Sequence, residues 1–439
     1  MSFPRYERYK DTGVEWLGVV PEHWCVHALY SLGKEREESN TGLIENNLLS
    51  LSYGRIIRKD IETSEGLLPD SFETYQVISP GDIIFRLTDL QNDKRSLRTA
   101  IVKERGIITF AYTAFQPLAI SPDYLNYLFR DYDLRKIFYS MGGGVRQSMK
   151  FADIKRLPTL APSSNEQNQI VAFLNHETAK IDTLITEQER LIELLTEKRQ
   201  AVISHAVTKG LNPDVPVKGS GVDWLSEIPS HWTGVPLGYL VRFNSGGTPS
   251  KANEKYWDGD IPWVSPKDMK VVKISDAEDH VTELALIESN IRLIEPGHIL
   301  VVVRGMILLH SFPVARNLVP VTINQDMKAL KCCDKLLPGF LQYLFMGVAK
   351  LLVSFAGESA HGTKKMETSV LSALQIPLPP IEEQQAISIW LDDKLDAFDS
   401  LLDTSTDAIR LLEQRRSAVI SAAVTGKIDV RNYTPKESA

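Results

Sequence analysis

Cysteine is scarce in this 439-residue chain, which contains only Cys25, Cys332 and Cys333. An odd number that includes an adjacent pair excludes a disulfide framework, and no pair has the spacing of a zinc knuckle. Long apolar runs are also missing, since residues 299–303 and 306–309 fall far short of the roughly 20 residues that span a bilayer. No apolar signal core is present near the N-terminus. These absences predict a cytoplasmic protein without a membrane partner.

An excess of basic charge is likewise missing. The chain has 49 Lys and Arg against 56 Asp and Glu, a formal net charge of −7. Taken as a whole-chain value, this charge argues against a partner as acidic as DNA. The distribution is uneven, however, because residues 157–240 and 381–439 each carry −4, whereas residues 33–156 and 241–380 each carry +1. Two near-neutral blocks alternate with acidic segments, so nucleic acid is not excluded as a partner of the blocks.

Motifs that carry catalysis are absent as well. The three glycines at 142–144 are not closed by the Gly-Lys-Ser/Thr of a phosphate-binding loop, and His176-Glu177 lacks the second histidine of a zincin site. The sequence has no Asn-Pro-Pro-aromatic or Asp-Pro-Pro-Tyr box for gripping a flipped base. It also has no nuclease pattern, because Pro69-Asp70 is not followed by Glu-x-Lys. We therefore expect no catalytic residue, metal site or cofactor in this chain.

Internal repetition is the strongest positive feature. Residues 13–24 contain Gly-Val-Glu-Trp-Leu and then Pro-Glu-His-Trp, and residues 221–232 repeat this pattern 208 positions later. We call these segments the first and second Trp motifs, and we expect their tryptophans to be apolar anchors. Residues 166–208 align without a gap with residues 383–425, with 17 of 43 positions identical. The chain is therefore two copies of one plan, each a Trp motif, a dissimilar block and a long element.

Both long elements have the apolar spacing of a helix, at steps of three, four and seven. Ser163 and Glu166 form a candidate capping box, and Gly210 and Gly426 stand where a helix ends. A helix of this length is a rod of roughly 65 Å whose apolar seam needs a partner, and we expect the two copies to pair as an antiparallel coiled coil. The pair either serves stability alone or holds two unlike domains apart. The residues expected in helix-pair packing are Ile181, Leu184, Leu191, Leu195, Phe398, Leu401 and Leu412.

The two intervening blocks, residues 33–160 and 241–378, show Pro-Gly turns followed by β-branched runs, then a short helical stretch and a Gly-rich loop. This pattern predicts an α+β fold for both. We expect a first domain at 1–160 with its Trp motif within 1–32, and a first long helix at 161–210. A second domain is expected at 211–378 with its Trp motif within 211–240, followed by a second long helix and tail at 379–439.

Inside the blocks, basic residues cluster with side chains that can read bases. Lys and Arg meet phosphates, whereas Arg on guanine and Asn or Gln on adenine give direct readout in the major groove. The candidates in the first block are Tyr53, Arg55, Arg58, Lys59, Lys94, Arg95, Arg98, Arg146, Gln147, Ser148 and Lys150. The candidates in the second block are Thr248, Ser250, Lys251, Asn253, Lys267, Lys270, Arg304, Asn324, Gln325, His361, Thr363, Lys364 and Lys365. Both sets predict contacts with double-stranded DNA.

The whole chain resembles the specificity subunit of a type I restriction-modification enzyme. The resemblance rests on the Trp motifs, on Ser-Gly-Gly-Thr-Pro-Ser at 245–250 with Tyr256-Trp257, on Pro-Pro-Ile-Glu-Glu-Gln at 379–384, and on residues 201–208 leading into Leu-Asn-Pro at 211–213. It implies two target-recognition domains that each read half of a bipartite DNA site. It also implies an antiparallel pair of long helices that sets the half-site separation. The first block matches the family pattern less clearly, because it lacks a Gly-Gly-Thr-Pro start.

The resemblance further implies partners for the helices. Two methyltransferase subunits dock on them and recruit restriction–translocase subunits, and S-adenosylmethionine, ATP and Mg²⁺ belong to those partners rather than to this non-catalytic chain. One alternative is a stand-alone DNA-binding or anti-restriction module without an enzyme partner. Another is a scaffold of two protein-binding domains, which predicts no sequence-selective DNA contact. Pull-down after co-expression with a methyltransferase separates the first alternative from the main interpretation.

Overall fold

The computed structural model of the chain describes residues 3–61, 71–88, 90, 97–141, 148–358 and 362–434. The chain divides into two compact units. The first consists of residues 1–189 and 407–439, and the second of residues 190–406. Each unit therefore contains half of each long helix, whereas the sequence predicts these helices as segments of their own. Among the described residues, no helix is both long enough and apolar enough to cross a membrane.

The first unit is built mainly from short antiparallel strands. Its strands are β1 (Tyr9–Asp11), β2 (Val19–Pro21), β3 (Cys25–Ala28), β4 (Gly33–Glu35), β5 (Leu49–Ser52), β6 (Arg55–Arg58), β7 (Gln76–Ile78), β8 (Ile83–Phe85), β9 (Thr99–Ile101), β10 (Gly106–Ile108), β11 (Thr113–Pro117) and β12 (Pro158–Ala161). Its short helices are α1 (Pro122–Leu134), α2 (Ile137–Met141) and α3 (Phe151–Ile154). The central sheet has the order β4-β11-β8-β9, and strands β5 and β6 form a separate hairpin.

The second unit contains more strand residues. Its strands are β13 (Val217–Val222), β14 (Leu225–Pro229), β15 (Thr233–Pro236), β16 (Val241–Ser245), β17 (Trp257–Val264), β18 (Lys273–Ile274), β19 (Asp279–Val281), β20 (Ile299–Val302), β21 (Arg304–Gly305), β22 (Val314–Asn317), β23 (Thr322–Ile323), β24 (Met327–Cys332), β25 (Gly357–Glu358), β26 (Lys364–Lys365) and β27 (Gln375–Leu378). Its short helices are α5 (Glu283–Glu288), α6 (Pro338–Gly347), α7 (Ala349–Ser354) and α8 (Thr368–Ala373). The central sheet has the order β16-β24-β20-β22-β18, and the expected α+β class is confirmed.

The two units share one framework although their blocks are dissimilar in sequence. The pair β1-β2 corresponds to β13-β14, and β3-β12 corresponds to β15-β27. The sheet β4-β11-β8-β9 corresponds to strands β16, β24, β20 and β22 in the central sheet of the second unit. What differs is added to this framework: the β5-β6 hairpin and the β10-β7 pair in the first unit, and strand β18 with the sheets β19-β17-β23 and β21-β26-β25 in the second. The repeat therefore extends to the fold, and the differences lie in these additions.

Each Trp motif is fixed to the start of a long helix. In the first unit the indole Nε1 of fully buried Trp24 donates to Oε1 of Glu166 at 3.0 Å, and His23 Nε2 lies 2.9 Å from the other carboxylate oxygen. Glu383 binds Trp232 at 2.9 Å and His231 at 2.7 Å in the second unit. Trp24 and Trp232 are thus anchors, as predicted. Since the Glu166 carboxylate serves the Trp motif, only the Ser163 half of the capping box forms, with Oγ accepting from the backbone N–H of Glu166 at 3.3 Å.

The long helices are α4 (Ser164–Lys209, 46 residues) and α9 (Ile381–Val424, 44 residues). In the first unit Trp24 lies at the start of α4 and also beside Gly426, which is just beyond the end of α9. Further along the two helices, Asp182 of α4 pairs with Arg416 of α9 at 2.9 Å. In the second unit the corresponding contacts join Gly210 to Glu383 and Arg199 to Asp399, at 3.3 Å. The helix halves are therefore antiparallel in both units. Gly210 and Gly426 adopt positive φ, as the predicted helix ends require.

The packing residues predicted for the helix pair are partly wrong. Ile181, Leu195, Phe398 and Leu412 are buried or partly buried, but Leu184, Leu191 and Leu401 are 44%, 40% and 51% exposed. Their neighbours Ile185, Ile192 and Leu402 are partly buried instead. The reason is that α4 has two apolar columns with the same seven-residue period, so spacing alone does not choose between them. The misassigned leucines are exposed apolar side chains on the two helices.

Candidate nucleic-acid interface

The ends of neighbouring strands gather several of the candidate DNA-binding residues of the second unit. Strands β16, β24 and β20 are adjacent and antiparallel, so Ser245, Met327 and Val302 lie at the same end of these three strands. The loops that leave this end carry Thr248, Arg304 and Gln325, and the Thr248 hydroxyl hydrogen-bonds the Gln325 side chain. Lys364 and Lys365 lie at the same end because β26 pairs with Arg304 and Gly305 of β21. We call this group the strand-end cluster.

Gly246 allows two of these loops to approach each other. A side chain at this position would collide with the backbone carbonyl of Asn324, so only glycine fits. The Gly247 N–H then donates to the Ile323 carbonyl at 2.9 Å, and Lys328 Nζ donates to Ser245 Oγ at 2.6 Å. Lys328 was not among the predicted residues, although its position next to Asn324 and Gln325 in the sequence was a signal for it. The result is a row of hydroxyl, amide and cationic groups that are exposed or partly buried.

The cations of the strand-end cluster have acidic neighbours. Arg304 lies 3.7 Å from Asp326, Lys364 lies 3.7 Å from Glu358, and Lys365 lies 2.7 Å from Glu367. Pairs this exposed contribute little to stability, and they exchange readily for a phosphate. The cluster is therefore suited to contacts that form when DNA is present.

Other candidates of the second block have structural roles. Asn324 is buried, and its side chain accepts from the Asp326 N–H at 2.8 Å, so it is removed from the set that can read bases. Asn253 caps a short helical turn by accepting from the Lys255 N–H at 3.2 Å. Lys267 lies 2.9 Å from Asp279 and 3.2 Å from Glu278, and these carboxylates raise its pKa. Ser250, Lys251 and Lys270 are exposed. Thr363 is partly buried and adjoins β26, whereas His361 lies outside the described residues.

The β5-β6 hairpin displays the candidates of the first unit. Leu49, Leu51 and Ile56 turn inward and pack in an apolar cluster. The opposite face carries Ser50, Ser52, Arg55 and Ile57, because side chains alternate along a strand and Ser52 pairs with Arg55. Tyr53 occupies the turn and is 75% exposed. We call this outward face, together with Tyr53, the hairpin face. Arg58 and Lys59 are also exposed, and Arg58 forms an ion pair with Glu104.

Arg98 corrects the prediction for this unit, because it is fully buried. Its Nη1 donates to the Thr88 carbonyl at 3.0 Å, its Nε donates to the Tyr139 hydroxyl at 3.2 Å, and its backbone N–H donates to Asp133. Burial raises the pKa of the Asp133 carboxyl, and the nearby cations Arg130, Lys136 and Arg98 oppose that shift. Position next to Lys94 and Arg95 suggested a DNA contact, but the side chain stabilises the interior.

The remaining candidates of the first block divide between two groups. Ser148 and Lys150 are exposed. Lys94, Arg95, Arg146 and Gln147 lie outside the described residues.

Sequence reasoning missed Gln167 and Gln384, whose recurrence at the same place in both repeats was the available signal. Gln167 accepts from the N–H of Ser121, which caps α1, and Gln384 accepts from the N–H of Leu337, which precedes α6. Each glutamine ties its unit to the start of a long helix.

Comparisons with known proteins agree with this arrangement. Residues 229–412 match the family model described as the type I restriction modification DNA specificity domain. The type I restriction enzyme EcoR124I/EcoR124II specificity subunit of Escherichia coli is 29% identical over 63% of this chain, and the match spans 64% of that protein. The MjaX specificity subunit of Methanocaldococcus jannaschii is 24% identical over 98% of this chain and 99% of its own length. Residues 229–412 thus match a type I restriction modification DNA specificity domain, and the chain is similar to type I restriction enzyme specificity subunits.

A solved structure supports the fold independently. A chain from a structure on complex assembly and conformational transition of the type I R-M system superimposes with a TM-score of 0.71 and 17% identity, covering 92% of this chain and 98% of that chain. At this identity the likeness concerns the fold alone. The likeness of fold therefore extends over the parts of the chain that the family model does not match.

Proposed function

We propose that this chain is a specificity subunit that reads an asymmetric bipartite DNA site, with each unit reading one half. The observation that carries the proposal is the combination of one repeated framework with two unlike sets of exposed polar loops. The hairpin face belongs to the first unit, and the strand-end cluster belongs to the second. Because a shared framework with different side chains presents different hydrogen-bonding groups, the two half-sites differ in sequence.

The long helices have a separate role in this proposal. Their lengths set the number of base pairs between the half-sites, and their exposed leucines dock two methyltransferase subunits. These leucines are Leu184, Leu191 and Leu401. Restriction–translocase subunits join through the methyltransferases, which also supply S-adenosylmethionine, while ATP and Mg²⁺ are used by the partners. This chain contributes recognition and no catalytic group.

Single substitutions test which unit reads which half. In the assembled methyltransferase complex, Arg55→Ala is expected to relax the methylation motif in one half only, and Gln325→Ala in the other half only. Loss of one base-edge contact weakens discrimination by about 1–3 kcal/mol. Lys335→Ala, a change at an exposed lysine outside the strand-end cluster, is the matched control and leaves the motif unchanged. Relaxation of both halves by one substitution contradicts the assignment of one half to each unit.

A further inference from the structure

The turn of the β5-β6 hairpin holds a large side chain in an unfavourable backbone conformation. Ser52 and Arg55 are paired, so Tyr53 and Gly54 form a two-residue turn, and their φ angles are +45° and +72°. A hairpin turn with positive φ at both central residues favours Asn-Gly or Asp-Gly. Tyrosine is a poor choice at the first position, because a bulky residue in the left-handed region is strained. Its ring is nevertheless 75% exposed, so no burial of the ring offsets this strain.

Arg130 on α1 holds the turn in place through its guanidinium group. Its Nη2 donates to the Gly54 carbonyl at 2.6 Å, and its guanidinium lies so close to Gly54 that a side chain there would collide with it. Burial lowers the pKa of Arg130, and the nearby Asp133 opposes that shift. The turn is therefore attached to a helix whose buried face, including Leu128 and Phe129, belongs to the core of the first unit. The exposed side chain of Tyr53 therefore extends from a turn that Arg130 holds in place.

The neighbours of Tyr53 indicate what it meets. The hairpin face next to it carries Ser52 and the exposed Arg55, and no carboxylate belongs to that face. The major groove of B-DNA admits a two-stranded ribbon of this size, and hydroxyl and guanidinium groups are suited to its base edges. Strain kept at an exposed functional turn is a common sign of a side chain selected for contact rather than for stability.

We infer that Tyr53 is a specificity-determining residue that contacts the bases at the floor of the major groove, and that Arg130 is the positioning residue that aims it. The inference rests on the proposed function. It adds the residue in the turn of the hairpin, the groove that receives it, and a partly buried arginine that does not touch DNA.

The first test separates strain from recognition with one substitution. Tyr53→Asn removes the ring and places a residue that tolerates positive φ, so the melting temperature of the full-length protein is expected to rise by about 2–4 °C. In the complex with methyltransferase subunits, affinity for a duplex that carries the genomic methylation motif is expected to fall about tenfold, as the loss of one base contact implies. Tyr53→Phe keeps the ring and retains most of the affinity. Tyr30→Asn, which removes another exposed tyrosine of the same unit, is the matched control and changes neither value.

The second test addresses Arg130. Arg130→Met is expected to relax the same motif positions as Tyr53→Asn, and to add little further relaxation when both changes are combined. Arg130→Lys restores part of the discrimination, because its ammonium can still donate to Gly54. A merely structural arginine would lower affinity for all duplexes equally and additively with Tyr53→Asn. That outcome overturns its positioning role.

The outcomes also separate this inference from the proposed function. If the wild-type complex binds its motif selectively and Tyr53→Asn binds it equally well, the role of Tyr53 is refuted while the proposed function stands. If Tyr30→Asn lowers affinity as much as Tyr53→Asn, the effect is not specific to the turn and the role is likewise refuted. If the wild-type complex shows no sequence selectivity at all, the proposed function and the inference both fail.

Discussion

The helix pair offers a perturbation whose size follows from its geometry. Asp182 pairs with Arg416 and Arg199 pairs with Asp399, so the numbers of partners across the pair add to a constant 598. Within the first unit, residues 183–189 of α4 therefore face residues 409–415 of α9. Deleting both blocks removes one seven-residue repeat from each helix and keeps the apolar seam in register. At 1.5 Å per residue the pair shortens by about 10.5 Å.

This shortening converts directly into base pairs. At 3.4 Å per base pair, about 10.5 Å corresponds to roughly three base pairs, so the spacer in the methylation motif is expected to become about three base pairs shorter. Methylation-aware sequencing of cells that carry the deletion variant together with its methyltransferase measures this change. Both half-sites are expected to remain the same.

Two controls make the result decisive. A five-residue deletion from each helix turns the seam by about 140° and is expected to prevent assembly, because it takes the apolar faces out of register. Gel filtration of the complex checks that the seven-residue variant still assembles. An assembled variant that methylates the original motif with its original spacer would refute the claim that helix length sets the separation.

Three further predictions concern single residues. Glu166→Ala removes the buried acceptor of Tyr6, His23 and Trp24, and it is expected to lower the free energy of unfolding by about 2 kcal/mol or more. Replacing the partly exposed Glu383 is expected to lower the free energy of unfolding by less. Chemical denaturation measures both variants, and equal losses would contradict this difference. Arg98→Met is expected to destabilise the first unit by about 3–5 kcal/mol without changing the motif, and a relaxed motif in a stably folded variant would contradict its interior role. Gly246→Val is expected to abolish recognition of one half-site only, as read from residual methylation on duplexes with each half varied; unaltered recognition of that half would show that the close approach of the two loops is unnecessary.

The sequence predicts the parts of the fold that rest on repetition and backbone chemistry. The Trp anchors, the helix ends at Gly210 and Gly426, and the turns at Gly81 and Gly297 before β8 and β20 all follow from residue type and spacing, and the structure has them. Residues 291–294, Ile-Arg-Leu-Ile, have the composition of a strand, but they form only an isolated bridge, between Ile294 and Val321. A short apolar run does not show whether the fold places a partner strand beside it.

The candidate interface was less predictable for a similar reason. Arg55 and Arg98 look alike in the sequence, each a basic residue near others, yet one is exposed and the other is buried against Tyr139. The difference depends on long-range packing with α1 and α2, which no local pattern encodes. Gln325 and Asn324 are adjacent, but the turn directs one amide outward and uses the other to bind the backbone. Side-chain direction in loops follows from the fold and cannot be derived from residue type.

The central claim is that this chain alone gives its complex the choice of an asymmetric bipartite site. The most direct test is to map genomic methylation with the methyltransferase present and this chain either present or deleted. One motif with two unlike halves and a fixed spacer is expected, and it disappears when the chain is deleted. A palindromic motif, a continuous motif, or a motif that persists without the chain would contradict it.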